Sequence, residues 1–243
     1  MTTRIAQSSP QVYARIGGIL YLMIIVAGAF GEIFVRGTLI VSGDAASTAS
    51  NIMASQSLWR IGMAGDILVH VLDIPLMLAL YVILKPVNKN LALLAVLFNL
   101  IQTAVLAANK LNLLMPLLLL LGNADYLKSF EPNQLYALVQ LSVRLHGYGF
   151  GMGLIFFGFA CLVLGYLIYR SGYLPPILGI LMAIAGLSYL TNSFALLLAP
   201  AFSSMIVPAI LAPALVGEVS LALWLLVKGV NAEKWARRAQ APF

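Results

Sequence analysis

Charged residues are scarce in this 243-residue chain, in which only 9% of residues are Asp, Glu, Lys or Arg and 62% are hydrophobic. Soluble globular domains average about 25% charged and about 45–50% apolar residues. The shortage of charge therefore excludes an ordinary soluble domain and places the chain in lipid. Because the apolar residues fall in long runs that occupy nearly all of the sequence, we expect no separate soluble catalytic domain.

Cysteine and histidine are nearly absent, with one Cys and two His in the whole sequence. The lone Cys161, inside an apolar run, excludes a disulfide framework and a zinc site built from cysteines. Glycine-rich phosphate loops, Cys-x-x-Cys pairs and haem-attachment motifs are also missing. The net charge of +6 does not indicate a nucleic-acid partner, because the basic residues flank the apolar runs and form no stripe interleaved with aromatic residues.

Six apolar runs are long enough to form membrane-spanning helices of about 20 residues. They cover residues 14–35, 59–84, 91–121, 133–169, 174–199 and 205–228. The third run is longer than a membrane requires and contains Pro116, so we expect it to be tilted, kinked at the proline or broken. The sequence therefore predicts an all-α integral membrane bundle of about six transmembrane helices, which forms a single transmembrane domain over 1–243 and ends in a short basic cytoplasmic tail at 229–243.

Lys and Arg are distributed unevenly between the two ends of these helices. If the N-terminus is cytoplasmic, nine of the 14 fall in inside segments and three fall outside, while Lys110 and Arg144 lie within or near the hydrophobic layer. Cytoplasmic loops carry such an excess of Lys and Arg. The sequence therefore predicts that both termini are cytoplasmic and that the protein lies in the cell (inner) membrane.

The first outer loop, roughly 37–58, contains a signal for local structure. Ser42 or Asp44 is suited to cap the N-terminus of a helix that continues through small residues. We therefore expect a short interfacial helix there, which either covers the bundle as a lid or simply connects two spanning helices.

Ionisable and amide side chains interrupt the apolar runs. At about 1.5 Å of rise per residue, most of them fall in the outer halves of the helices. An ionised group near the bilayer centre costs roughly 2.5–3.5 kcal/mol, so we expect these groups to face one another rather than lipid. The candidate ligand- or proton-handling cluster is Glu32, Arg36, Asp66, His70, Asp73, Asn109, Lys110, Arg144, His146 and Glu218.

Charge balance favours mutual pairing of these groups. The acids are Glu32, Asp66, Asp73 and Glu218, and the bases are Arg36, Arg60, Lys110 and Arg144. Because this set is formally neutral, the sequence predicts a charge-paired cavity within the bundle, open to the extracytoplasmic side and closed by the apolar cytoplasmic halves of the helices.

Asp66, His70 and Asp73 follow one another at i, i+4 and i+7 and so share one face of the second helix. This spacing is compatible with a divalent metal site, with His146 and Glu218 completing the ligands from other helices. No familiar zinc motif such as His-Glu-x-x-His supports that interpretation. A proton- or ligand-handling acid cluster and plain interhelical hydrogen bonding are the alternatives.

Several short motifs give the chain a family resemblance. They are Glu32-Ile33-Phe34-Val35-Arg36, Gly43-Asp44-Ala45-Ala46, Asn51-Ile52, Asp66, Asp73, Lys85-Pro86-Val87-Asn88, Leu145-His146-Gly147-Tyr148-Gly149 and Ser171-Gly172-Tyr173-Leu174-Pro175. Over about residues 12–200 the chain resembles the bacterial membrane proteins grouped as the domain of unknown function DUF4386. The resemblance implies a multi-pass membrane protein, with Glu32, Arg36, Asp66, Asp73 and His146 at the family's recurring polar positions, and it implies no substrate.

Two classes of function fit these observations. In the first, the cavity binds or transports a small or amphiphilic ligand, and its acids handle protons or cations. In the second, the protein is an intramembrane enzyme that performs acid/base or metal-assisted chemistry on a lipid or isoprenoid. A cavity with a path to both sides favours transport, whereas a cavity closed toward the cytoplasm and open sideways to membrane lipid favours an enzyme.

Overall fold

The computed structural model describes residues 9–240, except for the side chains of residues 207 and 208. These residues form helices and no strand. In chain order the helices are α1 (Pro10–Leu39), α2 (Ala45–Ala54), α3 (Gln56–Leu84), α4 (Lys89–Leu121), α5 (Pro132–Ser171), α6 (Pro176–Leu198), α7 (Pro200–Val227) and α8 (Ala232–Gln240). All except α2 and α8 contain a stretch long and apolar enough to cross a membrane, which confirms the predicted all-α bundle of six spanning helices.

Helix ends coincide with the capping residues that the sequence supplies. The hydroxyl of Ser9 accepts a hydrogen bond from the backbone of Gln11 at the start of α1, so this helix begins before the predicted residue 14. α5 begins at Pro132, where the side chains of Glu131 and Gln134 form a capping box. It ends before Gly172, whose φ of 73° lies in the left-handed region that glycine adopts without strain.

The third spanning helix, α4, is interrupted at Lys110 and not at its proline. Pro116 lacks an N–H, so the carbonyl of Asn112, four residues earlier, has no partner within the helix. The hydroxyl of Ser142 on α5 donates to that carbonyl. The nearby carbonyl of Leu113 accepts from Trp59 Nε1 at 2.8 Å. Neighbouring helices therefore satisfy the backbone around the proline, and the interruption of the helix lies six residues earlier, at Lys110.

The predicted loop helix is confirmed as α2. Its N-cap is Asp44, whose side chain accepts from Ser47 N at 2.9 Å. Hydrogen bonds from Ser47 hold the pKa of the Asp44 carboxyl below its usual range. The predicted basic tail also contains a helix, α8, although its last residues, 241–243, lie outside the described residues.

Close backbone contacts hold the bundle together. Gly158 and Gly165 on α5 face Gly186 and Gly179 on α6, respectively. A Cβ at any of these four positions would lie 3.0 Å or less from a backbone atom of the opposite helix. Gly18 fits α1 against α7, because a Cβ there would lie 2.5 Å from the backbone nitrogen of Leu226. These glycines allow the helices to approach closely without a hydrophobic driving force in lipid.

The bundle has two different ends. We call the end near Pro10 and Leu84 the proximal end, and the end near Leu39 and Gln56 the distal end. A large cluster of buried apolar side chains fills the proximal half, and a smaller one packs at the distal end around Trp59. Polar side chains collect between these two clusters.

Candidate functional site

A π-helical segment, Phe30–Arg36, brings Arg36 into the bundle. Such segments are rare within α-helices and occur frequently at functional sites. Arg36 is only 8% exposed although it lies near the end of α1. Gly31 leaves space for Asp66, the residue to which Arg36 bonds, because a Cβ at Gly31 would lie 2.6 Å from Asp66 Oδ1. The hydropathy pattern contains no signal for this change of winding.

Asp66 is the centre of a buried ionic cluster at the distal end of the polar layer. Its Oδ2 accepts from Arg36 Nη1 at 2.6 Å and from Lys110 Nζ at 3.0 Å. Arg36 Nε also donates to Glu32 Oε2 at 2.8 Å, and Lys110 Nζ lies 3.3 Å from His146 Nε2. Desolvation largely offsets the attraction in buried pairs, so the cluster adds little to stability as a whole, but removing one partner would be costly.

Asp73 lies about two turns nearer the proximal end and is held by neutral groups. It accepts from Asn99 Nδ2 at 2.8 Å and from the hydroxyl of Thr103, both on α4. These two residues are not among those predicted from the sequence, although Asn99, Gln102 and Thr103 recur at the helical spacing of i, i+3 and i+4 in an otherwise apolar run. That periodicity was the available signal for a polar face on α4.

Glu218 forms a third polar group with aromatic partners. The hydroxyl of Tyr189 on α6 donates to Glu218 Oε1, and Tyr21 on α1 lies beside the same carboxyl group. Sequence reasoning missed both tyrosines because an aromatic residue in an apolar run is typical of ordinary helix packing.

Two of the predicted residues, Asn109 and Arg144, do not bond to Asp66. Asn109 donates to the backbone carbonyl of His146 at 2.9 Å, and Gly149 leaves the space for its amide. Asn109 therefore joins α4 to α5. Arg144 does not enter the cluster: its side chain is exposed, whereas His146 is 5% exposed. Two residues rotate the helix by about 200°, so both side chains cannot face the interior.

The proposed metal ligands are not brought together. Among residues 9–240, no group of three or more His, Cys, Asp or Glu side chains is arranged to hold a metal ion. Asp66 is bonded to two cations, which would repel a divalent ion, and one oxygen of Asp73 accepts hydrogen bonds from Asn99 and Thr103 on α4. The shared helix face of Asp66, His70 and Asp73 does exist, but its members contact different partners.

A cavity of about 570 Å³ connects the three polar groups. All six spanning helices contribute to its wall, which is mostly apolar. Arg36 lines one end and Tyr21 the other, and their separation along α1 corresponds to roughly 20 Å of helix. Known small-molecule pockets are of similar size and character, with a few polar groups in an apolar wall.

Two buried side chains on this wall have polar atoms without a hydrogen-bond partner. Both ring nitrogens of His70 and the Oε1 atom of Gln102 lack a hydrogen bond within the protein, although these residues are only 6% and 7% exposed. An unsatisfied buried polar group costs about 1–3 kcal/mol. Such groups beside a cavity are accounted for when a ligand or water occupies it.

The cavity also reaches the side of the bundle between α1 and α7. These helices touch backbone to backbone at Gly18, but ten residues later a Cβ at Gly28 would meet nothing within 4 Å. Ile33 on α1 and Leu215 on α7 line the cavity and yet are 61% and 56% exposed. The two helices therefore separate toward the distal end and leave a gap on the lipid-facing surface.

Comparison with known proteins agrees with the resemblance seen in the sequence. A protein of the archaeon Archaeoglobus fulgidus, whose name is given as "Uncharacterized protein", is 31% identical over 167 residues, which cover 69% of this chain and 83% of that protein. No solved structure matches the chain. The family model described as "Domain of unknown function (DUF4386)" matches residues 16–229. This match extends over most of the chain, and the protein is therefore a multi-pass membrane protein that belongs to the DUF4386 family.

Proposed function

We propose that the protein binds an amphiphilic molecule from the bilayer in the cavity between its six spanning helices. The observation that carries the proposal is the combination of an apolar cavity of about 570 Å³ with two unpartnered polar side chains, His70 and Gln102, on its wall. The apolar wall suits a hydrocarbon chain, and the unpartnered groups suit a polar head. A molecule with both parts satisfies both features of the site.

The gap between α1 and α7 supports a ligand that arrives from lipid. Gly28 and Ala29 leave space on the α1 side, and Ala212 leaves space on the α7 side. An amphiphile dissolved in the membrane would reach the cavity through this gap without crossing the polar layer. In the proposed orientation both termini are cytoplasmic, the protein lies in the inner membrane, and the polar layer is nearer the extracytoplasmic side.

Binding is favoured over translocation because the proximal end is filled. Leu80 and Leu164 line the deep end of the cavity and belong to the large buried apolar cluster beyond it. Binding is also favoured over catalysis. Asp66 and Asp73 already accept hydrogen bonds from neighbouring side chains, which leaves these acids poorly placed to exchange protons with a substrate.

A pair of glycine substitutions tests this proposal. Gly28→Phe places an aromatic ring where a Cβ meets no neighbour and where the backbone lines the cavity. The matched control is Gly147→Phe, on the exposed surface of α5, where a Cβ also meets nothing within 4 Å.

The readout is equilibrium binding of tritiated 1-dodecanol to the purified full-length protein in maltoside micelles. We expect Gly28→Phe to lose saturable binding and Gly147→Phe to bind as the unchanged protein does. Equal binding by both variants would refute the proposal, since a ring in the cavity would then leave the ligand undisturbed.

A further inference from the structure

The cavity wall carries more negative than positive formal charge. Its ionisable groups, apart from His70 and the tyrosines, are Glu32, Asp66, Asp73, Glu218, Arg36 and Lys110. The balance expected from the sequence does not hold on this wall, because Arg60 and Arg144 are exposed and do not line it. Four carboxyl groups therefore face the cavity with two basic groups.

The two basic groups are already engaged. Arg36 and Lys110 both bond to Asp66, and Arg36 also bonds to Glu32. Among the residues that the structure describes, Asp73 and Glu218 have no basic side chain within salt-bridge distance, and their hydrogen-bond donors are neutral. The negative excess therefore extends from Asp73, about two turns along α3 from Asp66, to Glu218 at the end of the cavity lined by Tyr21, away from Arg36.

The unpartnered groups lie in the same part of the wall. Gln102 is next in sequence to Thr103, which bonds to Asp73, and His70 is one turn before Asp73 on α3. Gln102 Oε1 can only accept a hydrogen bond, and one nitrogen of a neutral His70 ring also accepts. A ligand that donates hydrogen bonds would therefore complete this region.

Aromatic residues line the cavity beside the remaining carboxyl group. Tyr21 and Tyr189 lie next to Glu218, and Phe157, also on the cavity wall, has its ring 5.3 Å from that of Tyr189. The faces of aromatic rings attract cations, most strongly where water is excluded. Acids without counter-ions, unpartnered acceptors and nearby aromatic rings all favour the same class of head group.

We infer that the ligand is a lipophilic organic cation with an alkylammonium head, held between Asp73 and Glu218 and donating to Gln102. This assignment rests on the proposed function and names its ligand class. A buried carboxylate is costly without a counter-ion, and an ammonium group supplies one while its alkyl chain occupies the apolar wall.

Three probes with the same chain and different heads test the assignment: dodecylamine, 1-dodecanol and dodecanoate. Binding of each to the purified full-length protein is measured below its micelle-forming concentration. We expect dodecylammonium to bind at least about tenfold tighter than dodecanol, as one charge-assisted hydrogen bond would provide, and dodecanoate to bind most weakly.

Isosteric variants locate the preference. Asp73→Asn and Glu218→Gln keep the size of each side chain and one of its acceptor oxygens, and they remove its charge. We expect each to reduce the preference for dodecylammonium over dodecanol by about tenfold while dodecanol still binds. Asp125→Asn, which changes an exposed acid of similar type, is the control and should retain the full preference.

The outcomes separate the ligand class from the proposed function. Equal binding of the three probes, or a preference for dodecanoate, would overturn the cationic ligand even though the cavity binds amphiphiles. A preference for dodecylammonium that persists in both variants would overturn it as well. Failure of the proposed function itself is recognised separately, by unchanged dodecanol binding in Gly28→Phe.

Discussion

Gly31→Ala should disturb the ion pair between Arg36, in the π-helical segment of α1, and Asp66 on α3. The added Cβ would lie 2.6 Å from Asp66 Oδ1, which is closer than real Cβ contacts, and 3.2 Å from Arg36 Nη2, which is tighter than most. Asp66 cannot retreat easily, because Arg36 holds its other oxygen at 2.6 Å and Lys110 holds it at 3.0 Å. Overpacking of this kind costs about 1–3 kcal/mol, and the loss of one hydrogen bond to a charged group falls in the same range.

The matched control is Gly65→Ala on α3, where a Cβ would meet nothing within 4 Å. Both substitutions gain about 1 kcal/mol of helix propensity, so this gain cancels in the comparison. The free energy of unfolding is measured by SDS titration in mixed micelles, with tryptophan fluorescence as the signal. We expect Gly31→Ala to be less stable than Gly65→Ala by about 2 kcal/mol. Equal stabilities would refute the close packing of Arg36 and Asp66 beneath Gly31.

Two further predictions use the same unfolding measurement, and a third uses proteolysis. Asp66→Asn leaves the buried Lys110 without its anion and Arg36 with only the exposed Glu32, and it should cost about 3–5 kcal/mol. Glu32→Gln, at a 68% exposed side chain, should cost less than about 1 kcal/mol, and similar losses in the two variants would contradict a buried cluster centred on Asp66. Ser142→Ala removes the donor to the carbonyl that the α4 proline leaves free and should cost about 1 kcal/mol, and an unchanged stability would show that this carbonyl has another partner. Trp235→Phe removes the 2.9 Å hydrogen bond from α8 to the backbone of α3 and should increase proteolysis of α8, so a variant as resistant as the unchanged protein would argue against docking of α8 on the bundle.

The spanning helices and several of their ends could be predicted from local sequence. Apolar length identified six spans, Pro132 marked the start of α5, and Asp44 marked the start of α2. Where predicted ends were wrong, polar or small residues had extended a helix beyond its apolar run. α7, for example, begins at Pro200 and not at residue 205. Hydropathy detects the part of a helix that lies in lipid and not the turns that continue beyond it.

The site was only partly predictable because its geometry depends on a π-helical segment in α1 and an interruption of α4 at Lys110. The sequence predicted that acids and bases would pair but not which ones, and the pairs of Asp66 with Arg36 and Lys110 depend on these two features, which the apolar pattern does not encode. Arg144 was assigned by depth alone, and depth does not determine which way a side chain faces. Asn99 and Thr103 could have been found from their helical spacing.

Photolabelling measures most directly whether the cavity is the binding site. Full-length protein is incubated with 1-dodecanol that carries a diazirine near the end of its chain, irradiated, digested and sequenced by mass spectrometry, with excess unlabelled dodecanol as competitor. The account predicts that the displaceable label lies on cavity residues such as Leu76, Leu80 and Leu154. Displaceable label on the outer groove between α1 and α3, at Met23, Val26 and Leu68, would contradict it.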